Sequence, residues 1–411
     1  MRKVKQKGTA VFAVIISALI ALTGCTNLLE DYWESITEHQ ITPSVRPPTE
    51  QISVSSYDEF VATLLSSIME QETSIQLLYY YHDGEDVQTE IERASAEILN
   101  EHPIGAYAVS DISAEATRIV THFEVDVAIE YKRSKEQLDS IRTVYSIHEM
   151  MRQLLLIMRQ YSDEAVIRTS LQVTQEDIAE FVKETYYRNP RHIVILPFET
   201  VEIFPETGED RIFEIKFVYN ESQSMLRRFG GELTVYIKQN AELAFGETEC
   251  ELILSLVSNL VDSTAFDDIA ARTIHMHGAP DFAATAFGAL VYRNAVGEGF
   301  AMALKALMDE LGIDCRVVLG SYDGMIHAWN IVYLYGDYYH IDAAMCVVNG
   351  IETAFLKTDA DFEEMYSWDR ENTVRCEGEL TLDDIKRPDE IDPDDGDTDQ
   401  TGESDNGEED D

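Results

Sequence analysis

One segment, from Ala295 to Met345, places an amphipathic helix directly before a hairpin. Between Gly299 and Gly312 apolar residues recur at steps of three and four, which is typical of a helix with one buried face, and Gly312 is a common stop. A short apolar run and two alternating strands follow, with turns expected at Asp323-Gly324 and Gly336-Asp337. This order predicts a helix packed against an antiparallel sheet.

Two polar side chains, His327 and Asp342, fall at the open end of that hairpin, near enough to interact directly or on the diagonal. The helix N-terminus, at Gly297, is expected to face them. A His oriented by a carboxylate and facing a helix N-terminus is the arrangement that activates a thiol. Here Gly297 has no side chain, so the arrangement lacks its nucleophile.

Three ordered motifs carry a resemblance to a known family: VGEGFA from Val296, HAWN from His327 and HID from His340. They resemble the core of the transglutaminase-like superfamily, papain-related thiol enzymes with the rough pattern V-C-x-G-Y-A, H-A-W-N and H-x-D. The resemblance implies that His327 is the general base and Asp342 its orienter. It also implies that Gly297 stands where the family has the Cys that forms an acyl-enzyme from an amide.

The loss of a nucleophile removes several orders of magnitude in rate. The sequence therefore favours a degenerate, non-catalytic domain that binds a peptide or protein or acts as a scaffold at the cell envelope. Trp329 is expected to form a wall of the cleft. Glu298 is expected to be a polar contact, although a carboxylate at a helix N-terminus is also favoured by the helix dipole alone.

The alternative is a transglutaminase-like amide hydrolase or acyltransferase in which a non-standard nucleophile works with His327 and Asp342. Cys346 is the one Cys whose sequence position lies near the open end of the hairpin, and Glu298 could supply acid-base chemistry. The other cysteines of the folded part are Cys250, Cys315 and Cys376. Their spacing permits one or two disulfides and establishes none.

The N-terminal residues predict where the protein is found. Residues 1–24 combine a basic start with a short apolar stretch, and Leu22-Thr23-Gly24-Cys25 resembles the bacterial lipoprotein signal. Lipidation of Cys25 would hold the protein on the outer face of the cell membrane. Residues 25–54, which include several prolines and polar residues, are expected to be a linker.

An internal repeat precedes the helix–hairpin segment. Val125 and Phe213 begin two alternating apolar runs, VDVAI and FEIKF, which lie 88 positions apart. Each copy is predicted to contain a helix, a strand, a helix and two strands. The predicted fold class is α+β: two tandem α/β-type repeat modules at 55–135 and 143–222, then a transglutaminase-like, papain-like α+β domain at 235–385.

Composition limits the partners. The net charge of −46 excludes nucleic acid as a partner, leaving cell-wall peptide or a surface protein as expectations. Thirteen acidic residues and no Lys or Arg in 388–411 predict that residues 386–411 form a disordered tail. No cofactor or metal is expected, although His275 and His277 would share one face if they lay on a strand.

Overall fold

The computed structural model describes residues 52–80, 86–277 and 281–386. The helices are α1 (Tyr57–Met69), α2 (Val87–Asn100), α3 (Pro103–Ala108), α4 (Lys135–Ser140), α5 (Ile147–Met158), α6 (Gln175–Arg188), α7 (Gln223–Glu242), α8 (Glu249–Ser263), α9 (Asp268–His277), α10 (Gly297–Leu311), α11 (Ala343–Asn349), α12 (Ile351–Ala354), α13 (Asp359–Phe362) and α14 (Leu382–Lys386). A 3-10 turn at Phe282–Ala284 and a π-helix at Gly288–Tyr292 precede α10. Within these described ranges no helix is long and apolar enough to cross a membrane.

The strands form three four-stranded sheets and one short parallel pair. They are β1 (Ile52–Val54), β2 (Ser74–Tyr79), β3 (Val109–Arg118), β4 (Phe123–Tyr131), β5 (Arg142–Thr143), β6 (Glu164–Thr169), β7 (Phe198–Phe204), β8 (Arg211–Val218), β9 (Ala265–Phe266), β10 (Asn294–Ala295), β11 (Cys315–Tyr322), β12 (Met325–Leu334), β13 (Asp337–Ile341) and β14 (Tyr366–Trp368). Helices and sheets together make the α+β fold that the sequence predicts.

The first two sheets have the same strand order, β1-β2-β4-β3 and β5-β6-β8-β7. In each, a short parallel edge strand is followed by three antiparallel strands. The alternating residues that predicted the repeat, such as Val125 and Phe213, are buried on β4 and β8. Helices α1 and α5 each begin at a Ser whose side chain accepts a hydrogen bond from a backbone N–H of the first turn. The two halves are therefore structural copies.

Two expected boundaries were wrong. Residues 52–54, expected to end the linker, pair with β2 and belong to the first sheet. Residue 235, expected to begin the last domain, lies in the middle of α7. Leu226 and Leu233 of this helix are buried in one continuous core that joins the second repeat to the third sheet. A boundary in the middle of a buried helix would expose that core. The remaining residues of the expected linker and nearly all of the expected acidic tail lie outside the described residues.

The two repeats meet at a buried ion pair. Arg133, which follows β4, donates hydrogen bonds from Nε and Nη2 to both carboxylate oxygens of Glu214 on β8, at 2.9 and 2.7 Å. The guanidinium also lies over the rings of Tyr107 and Phe204, at 5.2 and 5.7 Å from their centroids. Burial alone would raise the pKa of Glu214, but the hydrogen bonds from Arg133 lower it. The pair therefore fixes one repeat against the other.

The third sheet has the order β13-β12-β11-β14, and α10 packs against it. Helix α10 ends at Gly312, whose φ of 76° is the left-handed conformation that glycine adopts readily. The β11–β12 turn is at Asp323-Gly324, as expected, with φ values of 47° and 75°. The next turn is at Tyr335-Gly336, one residue before the expected position, because β13 begins at Asp337.

Replacement of Arg133 by Ala is expected to destabilise the protein by about 2 kcal/mol, because it removes both hydrogen bonds to the buried Glu214 carboxylate and leaves it only the partly exposed Lys216, whose Nζ lies 3.4 Å away. The measurement is the free energy of unfolding in urea. Lys135→Ala, which removes an exposed ion pair with Asp139 four residues along the chain, is the matched control, with an expected cost of roughly 0.5 kcal/mol. Equal costs for the two variants would contradict a special role for the buried pair.

Candidate functional site

Strand register brings His327 and Asp342 together. Asn330 of β12 pairs with Ile341 of β13, so Asp342 lies at the open end of the hairpin, on the diagonal from His327. Nε2 of His327 lies 2.6 Å from Oδ2 of Asp342. Both side chains are buried, with 8% and 1% of their residue surfaces exposed. Of the two geometries that the sequence left open, the structure has the diagonal one, and the two side chains are within hydrogen-bond distance across it.

Asp342 is itself held by two further donors. The backbone N–H of Met345 donates to Oδ1 at 3.0 Å, since Asp342 is the N-cap of α11. The hydroxyl of Tyr366 donates to Oδ2 at 2.9 Å. Burial and the nearby Asp342 raise the pKa of Tyr366 far above its ordinary value, so this hydroxyl stays a donor. With Oδ2 of Asp342 as the acceptor, Nε2 of His327 is the donor in this contact, and Nδ1 is the ring nitrogen that remains outside it.

That second nitrogen faces the backbone of Gly297. A Cβ atom built on Gly297 would lie 2.3 Å from both Nδ1 and Cε1 of His327. Real Cβ atoms do not approach other heavy atoms so closely, so the imidazole must move before any side chain can occupy this position. The ring therefore packs in the space that a residue with a side chain would need.

A cleft of about 280 Å³ opens beside this contact. Its polar side chains include Glu298, His327, Tyr187 and Asp323, and its walls are largely apolar. The apolar lining residues are Phe266, Ala271, Ile274, Val296, Leu319, Met325, Ile326, Ala328 and Met345. Among the described residues that line it there is no Cys, Ser or Thr. The cleft can hold a ligand, but it offers no hydroxyl or thiol of the kind used as a nucleophile by acyl-transfer enzymes.

Glu298 lies in this cleft, half-buried, and its carboxylate accepts a hydrogen bond of 2.8 Å from the hydroxyl of Tyr187. Burial raises the pKa of Glu298 to about 7, and the hydrogen bond from Tyr187 acts in the opposite direction. Tyr187 belongs to α6 of the second repeat. The repeat module therefore contributes directly to the cleft.

Trp329 is not a wall of the cleft, so this expectation was wrong. Its residue surface is 0% exposed, and its indole Nε1–H donates to Nδ1 of His340 at 2.9 Å. Its ring packs edge-on against Tyr366, with centroids 5.0 Å apart. The alternating pattern implied one covered face, but β12 is buried on both faces, so an aromatic residue next to the site lies in the core.

Cys346 does not take the place of the nucleophile. Its side chain is buried and Sγ points to the carbonyl oxygen of Ile351, 3.7 Å away. Burial, reinforced by Asp342, raises the pKa of this thiol to about 12, so it is protonated at neutral pH. The other described cysteines, Cys250, Cys315 and Cys376, are also buried unpaired thiols whose pKa values are raised by burial.

His275 and His277 lie on α9 and not on a strand, so the expected shared face was wrong. A second group, His340, Asp359 and Cys376, has ligand-type atoms within 4.8 Å of one another. His340 accepts the indole proton at Nδ1, and Nε2 lies 2.8 Å from Asp359. Since Nδ1 is already the acceptor, Nε2 must carry the proton, and the group serves as a hydrogen-bonded brace.

The N-terminus of α10 thus faces the His327–Asp342 pair on an antiparallel hairpin, which is the arrangement that the sequence predicted. Residues 260–343 match the model of the transglutaminase-like superfamily. The chain thus contains a transglutaminase-like domain, and the matched segment includes Gly297, His327 and Asp342.

Two solved structures are similar to the chain at low identity. One is described as a TGase, with 12% identity over 62% of this chain and 69% of that chain and a TM-score of 0.27. The other is a proposed cysteine protease from Cytophaga hutchinsonii, with 15% identity over 41% of this chain and 70% of that chain and a TM-score of 0.22. No curated protein matches the chain.

The sequence analysis did not predict two residues of the site. Tyr366 reaches Asp342 from 24 positions away, and Tyr187 reaches Glu298 from 111 positions away. Neither tyrosine lies in a motif. The repeat pattern placed Tyr187 near the end of a helix, but no periodicity indicates which domain that end contacts.

Gly297→Ala is expected to destabilise the protein by about 1–3 kcal/mol, because the added methyl group overlaps the His327 ring. Gly231→Ala is the matched control. Gly231 lies within α7 with open space around a built Cβ, so the same change is expected to stabilise by about 1 kcal/mol. Urea unfolding followed by tryptophan fluorescence reports on this domain through Trp329 and Trp368. If the cost of Gly297→Ala persists in a His327→Ala background, the ring is not its cause.

Glu298 is expected to make stability fall as pH rises. Between the ordinary value of 4.5 and the folded value of about 7, the native carboxyl holds a proton that the unfolded chain has lost. Its contribution is fully present below pH 4.5 and is lost as pH rises through 7. Glu298→Gln should flatten this dependence in urea unfolding across that window. Tyr187→Phe should shift the loss to higher pH. If the free energies of unfolding of the natural protein and of Glu298→Gln change with pH in parallel, Glu298 is not the group responsible for the pH dependence.

Proposed function

We propose that this protein binds peptide or protein ligands at the cell surface through a transglutaminase-like cleft that no longer carries out thiol chemistry. The observation that carries the proposal is the contact between His327 and the backbone of Gly297. The position of the nucleophile has no side chain, and the imidazole fills the space that one would need. The pair of His327 and Asp342 then serves as a fixed polar anchor.

The shape of the cleft supports binding over a purely structural domain. The cleft is open, with about 280 Å³ of space next to His327 and Glu298. Large apolar side chains lie exposed at its edge, with Leu319 48%, Met325 38% and Ile326 63% exposed. An apolar cleft with a few convergent polar groups is the usual form of a ligand site, and exposed apolar residues at its rim favour a peptide or protein.

The proposed location rests on residues that lie outside the described ranges. A lipidated Cys25 would anchor the chain to the outer face of the cell membrane, with residues 26–51 between the anchor and the first sheet. This location makes cell-wall peptide or a surface protein the proposed ligand, and the net charge of −46 disfavours anionic polymers.

A second candidate is an amide hydrolase or acyltransferase with a non-standard nucleophile. Its support is that Glu298, with a pKa of about 7, and His327 line the same cleft. Two such groups can move protons to and from a bound water. The binding function ranks first because no Cys, Ser or Thr is among the described residues that line the cleft.

Binding is tested with a peptide selected from a random phage-displayed library against the full chain. Ala271→Trp, which fills the cleft from α9, is expected to weaken binding by roughly tenfold or more. Thr273→Trp is the matched control, because Thr273 is exposed on the same helix and does not line the cleft. Unfolding midpoints of both variants show that each is folded. Selected peptides that bind all three proteins equally would overturn the cleft as the binding site.

The catalytic question has its own measurement. The full chain is incubated with a glutamine-containing peptide and a primary amine, and products are followed by mass spectrometry. We expect no product and no covalent adduct from the natural protein, and any turnover in Gly297→Cys alone. Turnover by the natural protein that disappears in His327→Ala would establish the enzyme instead.

A further inference from the structure

One edge of the third sheet is only partly covered. Strand β11 pairs with β12 along its whole length, from Cys315 to Tyr322. On its other side β14 pairs only with residues 320–322. Among the residues that the structure describes, 315–319 therefore have a strand neighbour on one side and none on the other.

The direction of the backbone groups on this edge follows from two hydrogen bonds. Asp323 N–H donates to Met365 O at 2.9 Å, so odd-numbered residues of β11 direct their backbone groups to the β14 side. Tyr333 N–H donates to Asp314 O at 3.0 Å, so even-numbered residues are directed to β12.

It follows that the N–H and C=O groups of Cys315, Val317 and Leu319 point to the uncovered edge. Within the described ranges no hydrogen bond from another residue reaches the backbone groups of Cys315 and Val317 or the N–H of Leu319, and the C=O of Leu319 lies opposite Asp369, where the pairing with β14 ends. They repeat at every second residue, which is the spacing at which an added antiparallel strand pairs.

A groove runs along this edge. A cavity of about 660 Å³ lies between β11 and helix α6 of the second repeat. It is lined by Val317 and Leu319 on one side and by Glu184 and Arg188 on the other. Tyr187 and Leu319 line both this groove and the cleft beside His327, so the two spaces adjoin.

The charges in the groove largely neutralise one another. Arg188 pairs with Glu184, and Arg316 lies 3.7 Å from Asp314. Charge therefore selects no strongly acidic or basic ligand. In the described part of the chain, the groups left without a partner are the backbone N–H and C=O groups on the uncovered side of β11. The ligand that can form hydrogen bonds with such a row of groups is another extended peptide backbone.

We infer that an extended peptide segment binds as an added strand along residues 315–319 of β11, between the sheet and α6, and places one of its side chains in the adjoining cleft. This inference rests on the proposed peptide-binding function and specifies how the peptide is held. Main-chain hydrogen bonds to Cys315, Val317 and Leu319 supply affinity, and the cleft beside His327 and Glu298 supplies selectivity.

The first test uses the library-selected peptide with single N-methyl groups at successive positions. An added strand directs alternate N–H groups to β11, so methylation is expected to weaken binding by roughly tenfold at every second residue and much less between them. In hydrogen exchange on the full chain, the amides of Val317 and Leu319 are expected to slow when the peptide is added. The amides of Arg316 and Val318, already paired with β12, are expected to be slow in both states.

A variant tests the same edge from the side of the protein. Val317→Pro removes an N–H that has no internal partner, so the fold is retained while the edge is blocked, and peptide affinity is expected to fall roughly tenfold. Val317→Ala, which also shortens the side chain but keeps the N–H, is the matched control, and its loss of affinity is expected to be clearly smaller than that of Val317→Pro. The unfolding midpoint of Val317→Pro establishes that the sheet is intact; if it has unfolded, the exchange and methylation patterns decide.

The outcomes separate this inference from the proposed function. One outcome is that Ala271→Trp weakens peptide binding, but N-methylation has no alternating effect and the amides of Val317 and Leu319 do not exchange more slowly when the peptide is added. This result overturns the added strand and leaves the proposed function of the cleft standing. A library that yields no binder overturns both. Amides of Val317 and Leu319 that are already protected in the free chain, or self-association that Val317→Pro abolishes, would assign the edge to this chain itself and overturn the peptide inference.

Discussion

The His327 imidazole is the point on which the site depends. Asp342 holds one ring nitrogen, and Asp342 is held in turn by Tyr366 and by the N-terminus of α11. The other side of the ring packs on Gly297 at the N-terminus of α10. Sheet register, two helix termini and the C-terminal segment thus meet at one side chain. The proposed binding surface is therefore preorganised, because these contacts fix its geometry before any ligand arrives.

The repeat modules are part of this surface. The second repeat shares a core with the transglutaminase-like domain through α7, and its helix α6 supplies Tyr187 to the cleft and one wall of the groove along β11. Arg191, just beyond α6, donates to the carbonyl oxygen of Asp309 at 3.1 Å, near the other end of α10. Contacts near both ends of α10 fix the position of α6, so the shapes of the cleft and of the groove depend on how the second repeat packs on the transglutaminase-like domain.

Local patterns predicted what depends on local physics. The three- and four-residue apolar steps located α10, and the matching alternation of Val125 and Phe213 located the repeat. Sequence periodicity gave wrong predictions in two cases: where a strand is buried on both faces, and where a helix is so short that its sequence can be mistaken for a strand. Trp329 lies in a strand covered on both faces, and His275 lies on a helix in a stretch too short for its period to be clear. The end of the linker and the start of the last domain were missed because β1 and α7 are defined by what they pack against.

The sequence alone determined that position 297 has no side chain, that a His and an Asp follow it at hairpin spacing, and that the chain is strongly acidic. These are covalent facts or consequences of short periods. Only the tertiary structure decided that the His327 ring occupies the space beside Gly297, that Tyr187 reaches Glu298 from 111 positions away, and that β11 keeps a free edge. Each depends on the distance between segments far apart in the chain, and local periodicity holds no information about such distances.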